Sequence, residues 1–237
     1  MKDLFGKAIL DFYNTNNPAN ILTETSISVS DEMDICYMFR DYTDMPLVEK
    51  IALDNCCGSI LDVGCGAGSH AIYLQNDKNL KVTAIDFSEN AITTCKLRGL
   101  QNCEIVNFFN FQSNVKYDTI LLLMNGTGIC GKLSNLNTFL QKLLTHLAKD
   151  GQILIDSTDI SYMYDRDAQN NLILPIDMEY FGELQFFLSY KQEKEVPFDW
   201  LYLDFETLAK YCENNKLLAT KIIEGSNFEY LARIVAK

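Results

Sequence analysis

Between positions 59 and 86 the chain reads SILDVGCGAGSHAIYLQNDKNLKVTAID, and few folds accommodate such a stretch. A short apolar run (Ile60, Leu61, Val63) leads into three closely spaced glycines. A helical pattern carrying Ala71, Ile72 and Leu74 follows, and then a second apolar run (Val82, Ala84, Ile85) that stops at an acid. This is the order of one strand-helix-strand unit. The glycines permit a sharp turn from strand into helix and let a ligand approach the backbone, which a Cβ would obstruct. Asp86 lies 20 residues beyond Gly66, at the offset where an acid closing the second strand accepts hydrogen bonds from a ribose. The stretch therefore points to a nucleotide-like ligand.

The spacing of the glycines narrows that ligand. A dinucleotide fingerprint beginning at Gly64 would place its last glycine at position 69, which is Ser69. Instead Asp62-Val63-Gly64-Cys65-Gly66-Ala67-Gly68 has an acid followed by glycines at alternate positions. In this the chain resembles the class I S-adenosylmethionine-dependent methyltransferases, whose first motif has that form. The resemblance implies S-adenosylmethionine as cofactor. It implies further that Asp62 with Gly64, Cys65, Gly66 and Gly68 holds the methionine end, that Asp86 takes the ribose hydroxyls, and that Asn110 bonds the adenine amino group. Phe87 and Phe111 offer flat apolar faces that suit a purine; either ring can equally belong to the core. Asn125, after an apolar run, stands where the family builds its methyl-transfer site. The Pro-Pro-aromatic continuation seen in family members that methylate nucleobases or glutamine is missing there, which argues against those acceptors.

A chain of 237 residues suffices for one substantial α/β core with additions. Its 32 acids against 20 Lys and Arg give a formal charge of −12, which repels phosphate backbones and anionic lipid. A small-molecule substrate is the expectation, with neither nucleic acid nor membrane as partner. The eight cysteines form no C-x-x-C pair and mostly sit inside apolar segments, and no signal peptide precedes them. They read as reduced thiols of a cytoplasmic protein. Two histidines without clustered cysteines give no metal site.

The remaining chain reads as follows. Leu4, Phe5, Ala8, Ile9 and Phe12 share one helical face, ended by a turn at 14–20; the polar stretch 21–30 carries no assignment. A second helix starts with Asp44 as N-cap and Pro46 in its first turn and runs to Gly58. Residues 1–58 are thus expected to be a helical cap on a methyltransferase domain at 59–237. Within the cap, Arg40 has the planar fork that pairs with a cofactor or substrate carboxylate, or else it is an ordinary solvated arginine.

Beyond Asp86, Ser88 caps a helix, residues 103–108 form a third strand, and residues 117–124 form a buried central strand. A leucine-striped helix from Ser134 is stopped by Lys149-Asp150-Gly151, before a fifth strand that ends at Asp156. Residues 157–203 interrupt the alternation with strand-like, aromatic sequence around Trp200, expected to roof the substrate side. Asp204 caps a last helix, and two strands joined by Glu224-Gly225-Ser226-Asn227 form a closing hairpin. The expected fold is α/β: a Rossmann-like doubly wound sheet of seven strands, mostly parallel, with a C-terminal antiparallel hairpin, N-terminal helices and a β insertion.

Methyl transfer from a sulfonium needs alignment more than a nucleophilic side chain. His70, Asp156, Asp159 and the tyrosines are available as bases, and His146 reads as a surface residue; no one of them is singled out. Two other functions compete: a nicotinamide-dependent oxidoreductase, opposed by Ser69 and the hairpin, and a non-catalytic module that binds S-adenosylmethionine.

Overall fold

The computed structural model describes residues 2–16 and 19–237. Helix α1 (Leu4–Thr15) is followed by strands β1 (Ile21–Thr25) and β2 (Ser28–Met33), then helix α2 (Leu47–Asn55). The nucleotide unit is β3 (Ser59–Val63), α3 (Ser69–Asn76) and β4 (Lys81–Asp86). Next come α4 (Glu89–Leu97), β5 (Cys103–Ile105), β6 (Tyr117–Leu122), α5 (Leu136–His146) and β7 (Leu147–Thr158). The insertion supplies β8 (Glu183–Tyr190), β9 (Glu193–Lys194) and β10 (Phe198–Leu201). Helix α6 (Phe205–Asn214), β11 (Leu217–Glu224) and β12 (Glu229–Ala236) complete the chain. The centre of the turn expected at 14–20 lies outside the described residues.

Seven strands form the main sheet in the order β11-β12-β7-β6-β3-β4-β5. Strands β3 to β7 pair in parallel, and β12 runs antiparallel to both β7 and β11. This is the expected Rossmann-like sheet with its closing hairpin. Because successive strand residues face opposite sides, each buried strand feeds two cores. Leu61, Val63, Ile120, Leu122, Ile153 and Ile155 pack with Phe139 and Leu143 of α5 and Leu208 and Cys212 of α6. Their neighbours Ile60, Leu121 and Leu154 pack with Val48 and Ala52 of α2, Ala71 and Leu74 of α3 and Ile92 of α4. Phe139 is fully buried, and burying a side chain of that size contributes about 1.5–3 kcal/mol.

The stretch 21–30, left open by its sequence, belongs to a hairpin of a second sheet ordered β10-β8-β1-β2, in which β9 pairs with β8. Strand β1 lies antiparallel to β8 with Leu22 opposite Ser189 and Thr25 opposite Phe186. The first 58 residues are therefore part helix and part sheet, and the sheet joins them to the 157–203 insertion. The hairpin leaves little trace in the sequence because β2 buries no residue on either side and so lacks a clear alternation.

Smaller differences follow local chemistry. Pro46, not Asp44, is the N-cap of α2, and Asp44 ends a preceding 3-10 turn. Strand β5 stops at Ile105, short of 108, because Phe108–Asn110 form a 3-10 turn capped by Asn107, whose Oδ1 accepts the Phe109 N–H at 3.0 Å. Lys149-Asp150-Gly151 lies inside β7, with Asp150 at φ 64. His146 is a core residue: it is 3% exposed, its ring centroid 4.9 Å from that of Phe111, and burial holds its pKa below the usual histidine value. Among the described residues no helix is long and apolar enough to cross a membrane, and all eight cysteines are free thiols.

Candidate cofactor and acceptor site

At the carboxyl end of β3 the chain turns through Gly64, Gly66 and Gly68, all at positive φ. A side chain is unwelcome at Gly66, φ +54, where a Cβ would stand 3.0 Å from Met38 Cε. The same holds at Gly68, φ +83, where it would stand 2.9 Å from Cys95 Sγ. The turn is fastened to the neighbouring strand: Gly64 and Cys65 both donate backbone N–H to the Ile85 carbonyl, at 2.8 and 3.1 Å. Gly66 N–H donates to Asp86 Oδ2 at 3.0 Å, and Ser88 N–H to Asp86 Oδ1 at 2.9 Å. Asp86 is thus tied to the glycine turn across the 20 residues that separate them. Burial pushes its pKa up despite these bonds.

Behind the turn lies Asp62, 2% exposed, whose Oδ2 has no hydrogen-bond partner among the described residues. Burial raises its pKa to about 6. A buried carboxylate oxygen without a donor is costly, and native structures rarely leave one without a reason. An ammonium group supplied by a ligand is such a reason, since it brings both donors and charge.

The segment Ile35–Phe39 covers the turn from the other side. Met38 O accepts the Ser69 hydroxyl at 2.9 Å, and Arg98 Nη1 donates to Ala67 O at 2.6 Å. Arg40, just beyond, does not offer its guanidinium to the outside. Its Nη2 lies 2.5 Å from Glu49, and Glu49 Oε2 also meets His70 Nε2 at 2.8 Å. Glu49 is 4% exposed. Burial pushes its pKa up, but the hydrogen bonds and charges of His70 and Arg40 outweigh burial and hold it below the usual glutamate range.

At the ends of β6 and β7 a second carboxylate organises the backbone. Asp156 accepts Met124 N–H on Oδ2 at 3.0 Å and Gly126 N–H on Oδ1 at 2.9 Å, fixing a loop in which Met124 and Asn125 both have positive φ. Asn125 Oδ1 accepts the Thr158 hydroxyl at 2.7 Å. Burial, with the charge of Glu49, moves the Asp156 pKa up to about 7, although the Gly126 and Met124 N–H groups oppose the rise. This loop borders a cleft of about 530 Å³, whose lining includes Tyr37, Glu49, Asn125, Asp156, Tyr162 and Tyr202. The second sheet contributes Thr25, Ser28 and Leu184 to its walls.

The residues expected at the site are thereby sorted. Asp62, Gly64, Cys65, Gly66, Gly68 and Asp86 converge at the ends of β3 and β4, and Phe87 extends from them with its ring 55% exposed. Asn125 borders the cleft on the far side of the same sheet edge. Asn110 is exposed in the turn beyond β5. Phe111 faces inward at 2% exposure onto His146, so the core reading of that ring holds and only Phe87 presents an open face. Trp200 packs against Gly128 and is absent from the cleft lining. Sequence reasoning missed Glu49 as a lining residue. Glu49 carried one readable signal, an acid within the otherwise apolar face of α2, next to Val48 and four positions before Leu53.

The orphaned Asp62 oxygen, the glycine turn that a Cβ would fill and the tethered Asp86 together fit a bound nucleoside carrying an amino-acid tail. Among the described residues no group of three or more His, Cys, Asp or Glu side chains is arranged to hold a metal.

Known proteins agree. A family model described as "Methyltransferase domain" matches residues 57–232. The crystal structure of an S-adenosylmethionine-dependent methyltransferase from Bacteroides fragilis, solved with S-adenosyl-L-homocysteine, superposes with a TM-score of 0.91 at 40% identity, covering 99% of this chain and 95% of that one. The (S)-coclaurine N-methyltransferase of Thalictrum flavum subsp. glaucum is 25% identical over 70% of this chain and 51% of its own length. A probable (S)-tetrahydroprotoberberine N-methyltransferase of Papaver bracteatum is 29% identical over 41% of this chain and 28% of its own. The chain thus spans about half or less of the length of these curated relatives. On the glycine turn, the seven-stranded sheet and these matches, the chain belongs to the class I S-adenosylmethionine-dependent methyltransferases.

Proposed function

We propose that the protein transfers a methyl group to a small organic acceptor held in the cleft between Asn125, Asp156 and the second sheet. The observation that carries this reading is the unpartnered Oδ2 of Asp62 beside the glycine turn, with the cleft opening next to the Met124–Asn125 loop. When bound, S-adenosylmethionine supplies a methyl group on a sulfonium centre. Asp62 and the turn from Gly64 through Cys65 to Gly68 receive the amino-acid end, Asp62 meeting its ammonium. Asp86, its position fixed by Gly66 and Ser88, takes the ribose hydroxyls with the lone pairs its backbone bonds leave free. Phe87 lies against the adenine, and exposed Asn110 reaches its amino edge.

Three features support a small acceptor. The cleft volume of about 530 Å³ lies in the ordinary small-ligand range. The net charge of −12 disfavours nucleic acid. Two of the curated relatives are named for methylating (S)-coclaurine and (S)-tetrahydroprotoberberine. Arg40 acts through Glu49 rather than on the ligand. The reduced thiols fit a cytoplasmic location. Residues 1–58 together with 157–203 serve as the acceptor-side cap on the methyltransferase domain.

Isothermal calorimetry with S-adenosylmethionine, S-adenosylhomocysteine and NAD tests the reading. The first two bind and NAD does not, and Asp62→Asn weakens S-adenosylhomocysteine at least about tenfold, the loss of one charge-assisted contact. NAD binding in their place would overturn it.

A further inference from the structure

We propose that the acceptor is an amine, drawn into the cleft as its ammonium ion, and that Asp156 removes the proton which must leave before nitrogen can attack. The inference rests on the methyltransferase reading and adds the acceptor class and the group that prepares it.

The charge pattern of the cleft comes first. Among the described residues its lining holds three carboxylates, Glu49, Asp156 and Glu229, and no lysine, arginine or histidine. Glu49 is neutralised from behind by Arg40. Glu229 binds the Asn227 N–H at 2.7 Å, and among the described residues neither it nor Asp156 has an ion-pair partner. An anionic acceptor would be repelled, whereas a cation finds two carboxylates, Asp156 and Glu229, that accept backbone N–H groups but have no counter-ion among the described residues. The walls point the same way. Tyr162 and Tyr202 line the cleft, and the electron-rich face of a tyrosine ring attracts an ammonium group; Tyr37 lines it too, with the Arg40 guanidinium already 3.8 Å over its ring.

Asp156 is suited to the proton transfer. Both its oxygens are held by backbone N–H groups rather than by side chains that could swing away, and each keeps a lone pair. The loop it holds carries Asn125, so the group that takes the proton and the loop bordering the reacting end are one rigid unit. The charged and titratable groups that act on it are Glu49 and His70 from α2 and α3, with Tyr37 and Tyr230 coupled to it. Its pKa near 7 lets it accept a proton and release it to solvent within the neutral range.

The step balances. The ammonium R–NH3⁺ gives one proton to the Asp156 carboxylate and becomes R–NH2. The nitrogen lone pair forms the new C–N bond as the C–S bond breaks, and sulfur keeps that bonding pair as a neutral sulfide. The product leaves as R–NH2⁺–CH3, and Asp156 returns its proton to water.

Three probes of similar size and different charge test this on the full chain saturated with S-adenosylhomocysteine: benzylamine, benzyl alcohol and phenylacetate. Calorimetry is expected to show benzylamine binding at least about tenfold tighter than the alcohol, and phenylacetate weakest. Glu229→Gln is expected to weaken benzylamine several-fold with S-adenosylhomocysteine affinity retained. In turnover of benzylamine, the acidic limb of the pH profile near 7 is lost in Asp156→Asn; should that variant not fold, the Glu229→Gln and charge-series results decide. Alcohol or carboxylate binding as tightly as the amine, no probe binding at all, or unchanged amine affinity in Glu229→Gln would overturn the inference while leaving the methyltransferase reading intact. Failure of S-adenosylhomocysteine itself to bind would sink that reading instead.

Discussion

Glu49 Oε2 and His70 Nε2 meet at 2.8 Å where neither residue is more than 8% exposed, joining the N-terminal cap to the helix that follows the glycine turn. Arg40 completes the cluster by pairing with the same carboxylate. Breaking one side of a buried pair leaves an uncompensated charge, at a cost of about 3–5 kcal/mol. Glu49→Leu is therefore expected to lower unfolding free energy by that order, read from urea melts. The double variant Arg40→Leu/Glu49→Leu is expected to lose less than Glu49→Leu alone, because no guanidinium is then stranded. A double variant as unstable as the sum of both single variants would show that the pair is not coupled.

The glycine turn yields a contrast between two positions of similar backbone. Gly68 has φ +83 and a Cβ there would lie 2.9 Å from Cys95 Sγ, whereas Gly99 has φ +91 with nothing within 4 Å. Both alanine variants incur left-handed strain of about 1–2 kcal/mol. Only Gly68→Ala must also displace the turn, so it is expected to lose S-adenosylhomocysteine affinity by at least about tenfold, a ~1.4 kcal/mol effect, while Gly99→Ala binds normally. Calorimetry on both variants, beside their melting curves, separates strain from the loss of the binding surface.

The fold of 59–237 was legible because the central strands β3, β6 and β7 are buried on both faces and helices carry an apolar stripe, as in α5 with Leu136, Phe139, Leu140 and Leu143. Gly64 to Gly68 and Asp86 were legible because backbone geometry restricts which residues can stand there. The acceptor cleft was not. Tyr37 and Glu49 from the cap, Asp156 from β7 and Tyr202 from beyond β10 converge only once β1 pairs with β8, and that pairing joins positions more than 160 residues apart. Phe111 and His146 show a second limit. Both could have faced a ligand or solvent by sequence, and the packing of α5 beside the end of β5 turns them onto each other.

Trp200 supports the loop at 126–130 from the insertion, and a Cβ on Gly128 would lie 1.9 Å from its indole Cε2. Gly128→Ala is expected to destabilise by about 1–3 kcal/mol through overpacking. Trp200→Ala added to it relieves the clash, so the double variant is expected to bind S-adenosylhomocysteine better than Gly128→Ala does. Trp200→Ala alone is expected to act on acceptor KM through the loop. A Trp200→Ala enzyme with unchanged KM and stability would count against Trp200 acting on the acceptor side through that loop.

Acidity offers the last test, because the carboxylates pull in opposite directions. Asp62 at about 6 and Asp156 at about 7 stand above the ordinary aspartate value of 3.8. Between that value and their own the folded state holds protons that the unfolded chain has lost, so stability falls as pH rises through the interval. Shifts of this size correspond to about 3 kcal/mol for Asp62 and about 4 kcal/mol for Asp156 as an order of magnitude. Glu49 has the opposite sign: its lowered pKa contributes stability above the ordinary glutamate value of 4.5 that is lost on acidification. The ligand-free protein is accordingly expected to be most stable near pH 4.5 and to lose several kcal/mol between there and about pH 7, read from urea melts from pH 4 to 8. With S-adenosylhomocysteine present its ammonium stabilises the charged form of Asp62, so the decline becomes shallower. Asp62→Asn should flatten the ligand-free profile and remove most of the ligand's effect on the slope. A ligand-free stability that stays level or rises from pH 5.5 to 8 would mean that neither aspartate is desolvated as the structure shows.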